Sequence, residues 1–372
     1  MKKFFLILLS VMSVCLLCSC GADKDDTVIP SDEKIQEQTI AATFELAMIT
    51  DGNDMSLSDP FITNTWKGVE KYAKENGISY TYYVPAEVSD KGYITAIGKA
   101  VENGAKLIVL PNSLFEVAVY DAQYRYPDVN FIIIDGEPRT ADYKTYTIES
   151  NVNAIFFSEQ EAGFLAGYAA VKNGQRNLGF IGGMALSPVV RYGYGFIAGA
   201  KQAAAENKIS SINIKYTYSG EFVASEDIQT LAASWYSADT EVIFACGGSL
   251  GKSVSAAAEA SGSYMIGADV DESELSSSVI TSALKKTDAA VYKSIESYYN
   301  GEFHGGVIDR YSAADECVGL EINHSRMTGF SDEQYDAILS RLIRGEITLP
   351  DENTTDSAAK LSGGGVKVTI VE

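Results

Sequence analysis

Short apolar runs alternate with longer segments of helical periodicity along most of the chain. Lys106 to Leu110 and Val242 to Ala245 are continuous apolar runs, which are typical of strands buried on both faces. Phe61 to Asn76 instead places Trp66, Val69 and Tyr72 three residues apart, which predicts a helix. This alternation predicts an α/β fold in which parallel sheets are flanked by helices.

The pattern forms two successive runs of strands and helices that meet near Asn151, and these predict two lobes with a cleft between them. The predicted strands are Glu45–Thr50, Ser79–Val84, Lys106–Leu110, Val129–Ile134, Thr145–Ser150, Asn177–Ile181, Ile212–Tyr218, Val242–Ala245, Met265–Ile266 and Val279–Ala283. The predicted helices are Phe61–Asn76, Tyr93–Asn103, Phe115–Tyr126, Glu161–Val171, Phe196–Glu206, Ser225–Ser237, Leu250–Ala260 and Thr287–Asn300. Arg191 and Tyr192 fall in a predicted loop before one of these helices.

Polar residues and glycines follow several of the predicted strands. Asp51, the pair Asn112 and Ser113, and Asp269 each stand at a strand end, and Gly247 with Gly248 ends another strand. In open parallel sheets, ligands bind outside the carboxyl ends of the strands, so these positions are candidates for ligand contact. A cap or turn role is the alternative for both aspartates.

The amino terminus has the pattern of a targeting segment. Lys2 and Lys3 precede an apolar stretch from Phe4 to Leu17, which is shorter than the roughly 20 residues that span a membrane. We therefore expect residues 1–20 to be a signal peptide. Residues 21–42 are rich in polar residues and predict a flexible tether.

Composition narrows the function further. The formal net charge is -21, which argues against nucleic acid as a partner. Only two histidines occur, neither in a metal-ligand spacing, and no motif of a hydrolase or zinc protease is present, so we expect no enzyme, cofactor or metal. After the signal, Cys246 and Cys317 remain, and we favour two packed thiols over a disulfide.

Three motifs in order resemble a known family. They are F-x-E-Q-E-A-G-F-L-A-G-Y from Phe157, G-F-I-G-G-M from Gly179, and R-Y-x-x-G-F from Arg191. Together they are similar to the basic membrane protein lipoproteins, substrate-binding proteins of ABC importers that include purine nucleoside receptors. Leu17-Cys18-Ser19-Cys20 likewise resembles a lipobox, which implies lipidation of Cys20; simple secretion or an uncleaved anchor are the alternatives.

The resemblance implies a two-lobed type I periplasmic-binding-protein fold in which the chain crosses between the lobes. The amino-terminal lobe would comprise residues 43–152 and about 285–310. The carboxyl-terminal lobe would comprise residues 153–284 and about 311–372. A hinge would join the two lobes.

The resemblance also implies a set of ligand-binding residues. Phe61 and Phe157 match family phenylalanines that stack on a base, whereas Phe61 packing on its own helix is the alternative. Arg191 and Tyr192 match the family's R-[FY], and a structural salt bridge is the alternative for Arg191. The matches to family motifs are Thr50-Asp51-Gly52, Cys246-Gly247-Gly248, Gly267-Ala268-Asp269 and Ser282-Ala283-Leu284-Lys285.

Within this set we assign the carboxylate of Asp269 to ribose hydroxyls, and Lys285 either to the ligand or to a neighbouring acid. Two positions depart from the family pattern. Ile62 replaces an asparagine, and Val117 stands where the family has an acidic residue, for which neighbouring Glu116 is a possible substitute.

These observations favour an extracytoplasmic solute-binding protein, anchored to the membrane through lipidated Cys20. We expect it to be a monomer that binds a nucleoside, preferably a purine nucleoside, and delivers it to an ABC permease and ATPase. A surface sensor, or a binder of a sugar or another small metabolite, is the alternative. The order of polar and apolar residues does not separate these ligands.

Overall fold

The computed structural model describes residues 43–57 and 59–372. The expected signal peptide, the lipidated Cys20 and the tether lie outside these residues. Within the described part of the chain, no helix is long and apolar enough to cross a membrane.

Thirteen strands and nine α-helices of the described residues alternate along the chain. The strands are Leu46–Ile49 (β1), Tyr80–Tyr83 (β2), Leu107–Leu110 (β3), Asn130–Ile134 (β4), Val152–Phe157 (β5), Asn177–Gly182 (β6), Ile212–Tyr218 (β7), Val242–Cys246 (β8), Tyr264–Asp269 (β9), Val279–Lys285 (β10), Val307–Tyr311 (β11), Val318–Leu320 (β12) and Val366–Ile370 (β13). The helices are Pro60–Asn76 (α1), Asp90–Glu102 (α2), Glu116–Arg125 (α3), Glu159–Lys172 (α4), Ser187–Glu206 (α5), Glu226–Ser237 (α6), Leu250–Ser261 (α7), Thr287–Tyr299 (α8) and Asp332–Ile343 (α9).

The strands form two sheets, one in each lobe. The first has the order β11-β5-β4-β3-β1-β2 and the second has the order β12-β10-β9-β8-β6-β7-β13. All neighbouring strands are parallel except β10 and β12. The first six strands of each order follow the same plan, so β4 corresponds to β9 and β5 to β10. The predicted two-lobed α/β fold is confirmed.

The chain crosses between the lobes at three places. It passes from β5 into α4, from β10 into α8, which packs on α1 and precedes β11, and from β11 into β12. Backbone bonds tie the crossings together, since Ser158 N donates to Tyr311 O and Lys286 N donates to Cys317 O. These three crossings form the hinge.

The sheets revise one expected boundary. The resemblance implies that the first lobe ends at residue 152, but β5 pairs with β4 as far as Ile155 and with β11 as far as Phe157. The predicted strand Thr145–Ser150 is also wrong, because that segment makes only an isolated bridge at Tyr146 and the strand lies at β5. The alternating polar residues of the earlier segment resembled an edge strand, whereas β5 is an interior strand.

Helices α4 and α5 pack unusually closely in the second lobe. A Cβ on Gly163 would lie 2.1 Å from Tyr192 O, and one on Gly195 would lie 2.1 Å from Gln160 O. Glycine is therefore required at both positions, because a side chain would overlap the backbone of the facing helix. Gly163 thus belongs to a small face of α4 against which α5 packs.

The start of α5 was predicted wrongly. The helix begins at Ser187, with Pro188 in its first turn, and not at Phe196. Gly193 and Gly195 weaken the helical pattern in the sequence. They are helical here because Gly195 allows close contact with α4 and Gly193 leaves room for Tyr216 of β7. Cys246 and Cys317 are both buried free thiols, as predicted.

Candidate functional site

Two adjoining cavities lie where the start of α1, in the first lobe, faces the strand ends of the second lobe. One measures about 210 Å³ and contains Phe61, Gly248 and Asp269 in its lining. The other measures about 340 Å³ and contains Asn64, Asp269 and Lys285 in its lining. Both cavities include Pro60 and Asp269, so the two together form one cleft between the lobes.

Behind this cleft, the Lys285 ammonium is surrounded by three carboxylates. Its Nζ lies 2.6 Å from Asp135 Oδ2, 3.1 Å from Glu159 Oε1 and 3.8 Å from Asp269 Oδ1. The side chain of Lys285 is only 3% exposed. Burial disfavours its charged form, but the three carboxylates outweigh burial and raise the pKa of Lys285.

Asp135 and Asp269 hold equivalent places in the two sheets, at the ends of β4 and β9. Both have left-handed backbones, with φ of 51° and 64°, a conformation that aspartate tolerates better than most residues. Burial raises the pKa of Asp135 to about 6 despite the opposing effect of Lys285. Burial also raises the pKa of Asp269, against the influence of Lys285 and of a hydrogen bond from Tyr192.

Arg191 and Tyr192 lie on α5 and are buried, so neither contributes to the lining of the two cavities. Arg191 Nε donates to Glu159 Oε2 at 2.7 Å, and Nη1 donates to Glu352 Oε1. Tyr192 Oη donates to Asp269 Oδ1 at 3.0 Å. Both side chains therefore contact carboxylates near Lys285, Arg191 that of Glu159 and Tyr192 that of Asp269, from behind the cleft.

The two predicted aromatic residues differ in exposure. Phe61 is partly buried and lines the smaller cavity, whereas Phe157 is fully buried at the end of β5. Lys285 Nζ lies 5.5 Å from the ring centroid of Phe61 and 5.2 Å from that of Phe157, within the range of cation–π attraction. The ammonium thus contacts both rings.

Three other predicted residues stand at strand ends of the first lobe. Asp51 follows β1, its carbonyl accepts a hydrogen bond from Tyr93, and its buried Oδ1 has no partner. Asn112 caps a short 3-10 helix, Ser113–Phe115, by accepting from Leu114 N. Asn112 and Ser113 line neither cavity, so the structure does not bring them to the group around Lys285.

Glu116, the possible substitute for the family's acidic residue, is engaged elsewhere. Its Oε2 lies 2.5 Å from Arg139 Nε, and its Oε1 accepts a hydrogen bond from Glu137 N. Val117 lies beside it on α3 and is half-buried. The acidic side chain therefore belongs to an ion pair within the first lobe.

Gly247 and Gly248 follow β8 with φ of 136° and 53°. A side chain at either position would be strained, and it would also overlap Phe222. A Cβ on Gly247 would lie 2.6 Å from Phe222 Cδ1, and one on Gly248 would lie 2.5 Å from Phe222 O. Gly248 lines the smaller cavity and Gly247 does not. The turn lets Phe222 cover the end of the second sheet beside the cleft.

Sequence reasoning did not identify Asp135, Glu159 and Glu272 as site residues. Glu272 lines the smaller cavity, and burial raises its pKa to about 8. The signals available were the position of Asp135 directly after a strand and the acidic first turn of α4 that contains Glu159. Nothing in the sequence indicates that Glu272 folds back onto its own strand.

The tertiary structure also brings His324 beside two carboxylates. His324 Nδ1 lies 2.7 Å from Asp271 Oδ2 and 3.8 Å from Glu321 Oε1. The ligand atoms of the three residues lie within 4.8 Å of one another, close enough for a metal ion. His324 is largely exposed, and we assign the group as a hydrogen-bonded cluster at the edge of the cleft.

Chemically, the cleft combines an aromatic face with charged and hydrogen-bonding groups. Phe61 offers a ring for stacking, the partly exposed Asp269 offers acceptor oxygens, and Lys285 offers a cation. No described side chain is paired with a nucleophile in the manner of a catalytic triad. The arrangement is suited to holding a neutral, polar, flat molecule.

A family model described as "ABC transporter substrate-binding protein PnrA-like" matches residues 45–353. The ABC transporter nucleoside-binding protein BmpA of Lactococcus lactis subsp. cremoris is 28% identical over 84% of this chain and 91% of its own. Basic membrane protein A of Borreliella burgdorferi is 29% identical over 94% of this chain and 96% of its own. A solved ABC transporter solute-binding protein from Conexibacter woesei superposes with a TM-score of 0.67 at 21% identity, covering 83% of this chain and 99% of its own.

Proposed function

This chain belongs to the Bmp family of PnrA-like ABC transporter substrate-binding proteins, and we propose that it binds a nucleoside, preferably a purine nucleoside, between its lobes. The relative from Lactococcus lactis, whose name describes a nucleoside-binding protein, supports this proposal. The ligand would then be passed to a membrane permease powered by an ATPase. Lipidated Cys20 would hold the protein at the outer face of the membrane.

One observation carries the nucleoside assignment: Phe61 and Asp269 line the same cavity, from opposite lobes. An aromatic ring that stacks on a base contributes roughly 1–3 kcal/mol in nucleic-acid systems. A carboxylate accepts hydrogen bonds from both hydroxyls of a ribose, and such charge-assisted bonds are the stronger kind. A nucleoside offers both features in one molecule, whereas a free base lacks the ribose hydroxyls and a free sugar lacks the aromatic base.

Binding from both lobes also supplies a mechanism for delivery. A ligand that contacts Phe61 in one lobe and Asp269 in the other has more contacts when the lobes are closed. Its differential affinity for the closed form therefore shifts the hinge equilibrium toward closure. The permease would recognise the closed form.

Calorimetric titration tests the proposal. The chain from residue 21 would be unfolded and refolded to remove bound ligand, and then titrated with inosine, guanosine, adenosine, a pyrimidine nucleoside, free bases and ribose. We expect binding at low micromolar Kd or tighter for nucleosides and none for ribose. Absence of heat with every nucleoside would overturn the assignment and direct the search to sugars and other metabolites.

A pair of matched variants sharpens this test. Asp269→Asn removes the charge but keeps a residue that tolerates the left-handed backbone, and we expect it to weaken nucleoside binding roughly 10- to 100-fold, since hydrogen bonds to a charged group contribute about 1.5–3 kcal/mol. Asp239 has a similar φ of 66° and lies outside both cavities of the cleft. Asp239→Asn should leave the affinity unchanged.

A further inference from the structure

A chain of alternating charges runs from the carboxyl-terminal segment to the first lobe. Glu352 accepts from Arg191, Arg191 donates to Glu159 at 2.7 Å, and Glu159 lies 3.1 Å from Lys285. Lys285 then bonds Asp135 of the first lobe at 2.6 Å. The chain thus connects parts of the protein that are remote in sequence.

The side chains in the middle of this chain of charges are buried. The side chain of Glu159 is fully buried and that of Arg191 is 5% exposed. Ions so deeply buried are costly unless each is paired, and removal of one partner leaves the other uncompensated. Glu159 begins α4 and Lys285 ends β10, so this pair also links two of the three hinge crossings.

The distances around Lys285 are unequal, and the inequality matters for ligand binding. An ammonium has three hydrogens to donate. Asp135 and Glu159 lie within about 3 Å of Nζ, whereas Asp269 lies 3.8 Å away. Asp269, the carboxylate that borders both cavities, is therefore the one that Lys285 bonds least.

We propose that Glu159, held in place by Arg191 and Glu352, is a positioning residue that draws the Lys285 ammonium away from Asp269. The Asp269 oxygens then remain available to accept hydrogen bonds from a ligand. This role in ligand binding rests on the proposed function of the cleft. Glu159 itself lines neither cavity and acts only through Lys285.

Without Glu159, Lys285 has two carboxylates left, and Asp269 becomes its second partner. The ammonium and the ligand hydroxyls would then compete for the same oxygens. The charged and titratable groups that face Glu159 are Arg191 and Tyr192 on α5, Lys285 on β10, Asp135 directly after β4, Asp269 on β9 and Cys246 on β8. Lys285 and Arg191 lower the pKa of Glu159 although burial opposes its ionisation.

A double-mutant cycle tests the positioning role. Glu159→Gln keeps the shape of the side chain, and we expect it to weaken nucleoside binding about 10-fold in calorimetry. Because Glu159 acts through Asp269, the Glu159→Gln/Asp269→Asn protein should bind no more weakly than Asp269→Asn alone. Additive losses, or wild-type affinity in Glu159→Gln, would overturn the proposal. Arg341→Met, which removes a bond to Glu206 remote from the cleft, should bind as wild type.

A second measurement needs no ligand. Carboxyl-carbon NMR would follow the titration of Glu159 in the wild type, Arg191→Met and Arg191→Lys, with Glu159→Gln used to assign the signal. We expect the pKa of Glu159 to rise at least one unit in Arg191→Met and to be partly restored in Arg191→Lys. An unchanged titration in Arg191→Met would show that Arg191 does not hold Glu159 ionised. That result would overturn the part of the proposal in which Arg191 holds Glu159 in place.

The two measurements distinguish the two proposals. If the wild type binds no nucleoside, the proposed function fails, and NMR still decides whether Arg191 controls Glu159. If the wild type binds a nucleoside and the cycle is additive, the proposed function stands and the positioning role of Glu159 fails.

Discussion

Asp269 and Glu272 are two carboxylates three residues apart at the end of β9, and their surroundings differ in one respect. Asp269 lies 3.8 Å from the Lys285 ammonium and accepts a hydrogen bond from Tyr192. Among the described residues, no cation lies within salt-bridge distance of Glu272, which accepts a hydrogen bond only from Ala268 N. Burial raises the pKa of both, and it raises that of Glu272 to about 8.

Burial is the main influence on the pKa of both carboxyl groups, and only at Asp269 does a nearby cation, Lys285, oppose it. Near pH 7 Glu272 is mostly protonated, so it offers the cleft a hydrogen-bond donor as well as an acceptor. At Asp269, the Lys285 ammonium and the hydrogen bond from Tyr192 instead favour the charged form. Carboxyl groups in the same cleft thus differ in the groups that surround them. The sequence alone does not show this difference.

Removal of the Lys285 ammonium should have the largest effect on the free energy of unfolding. Lys285→Met leaves Asp135 and Glu159 buried without their shared partner, and we expect it to lower the free energy of unfolding by about 3–5 kcal/mol. Urea unfolding followed by circular dichroism measures this. Lys252→Met, which alters an exposed lysine in the smaller cavity, should change stability by less than about 0.5 kcal/mol. Equal stabilities of the two variants would contradict the central role of Lys285.

Glu272→Gln should give the next largest effect on the free energy of unfolding, and this effect should be an increase. Between pH 4.5 and 8 the unfolded chain has lost the Glu272 proton whereas the folded chain retains it, so this group's contribution to stability falls as pH rises. Glutamine does not ionise, so it removes this pH-dependent loss of stability. Its amide oxygen still accepts a hydrogen bond from Ala268 N. We expect Glu272→Gln to raise the free energy of unfolding at pH 8.5 by about 2 kcal/mol, since the half-buried side chain is partly solvated.

The comparison at pH 5 provides the control for that experiment. At pH 5, only just above the ordinary glutamate pKa of 4.5, little of this loss of stability has accumulated, so the gain from glutamine should shrink. A gain of the same size at pH 5 and pH 8.5 would indicate a packing effect and not an uncompensated carboxylate.

Tyr192→Phe should give the smallest effect. It removes the hydrogen bond to Asp269 and a longer one, at 3.5 Å, to Ala283 O, and we expect a loss of about 1 kcal/mol in the free energy of unfolding. Tyr194→Phe is the matched control on the same helix, because Tyr194 does not bond Asp269. If the two variants unfold alike, the hydroxyl of Tyr192 contributes nothing to holding Asp269.

Much of the fold follows from local patterns in the sequence. Continuous apolar runs predicted the interior strands β1, β3, β4 and β8, because strands covered on both faces have no polar side to alternate with. The errors occurred where tertiary contact overrides local preference. Gly193 and Gly195 weaken a helix in isolation, but Gly195 allows α5 to pack directly on α4 and Gly193 leaves room for Tyr216 of β7.

The sequence by itself determined the two-lobed α/β class and placed Asp51, Asn112 and Asp269 at strand ends, since both depend on residues close together in the chain. Only the tertiary structure decided which charges meet. Asp135, Glu159 and Glu352 reach Lys285 or Arg191 across 150, 126 and 161 residues of chain. Electrostatic pairing depends on distance in space and on burial, and the three hinge crossings that produce these distances have no local signature in the sequence.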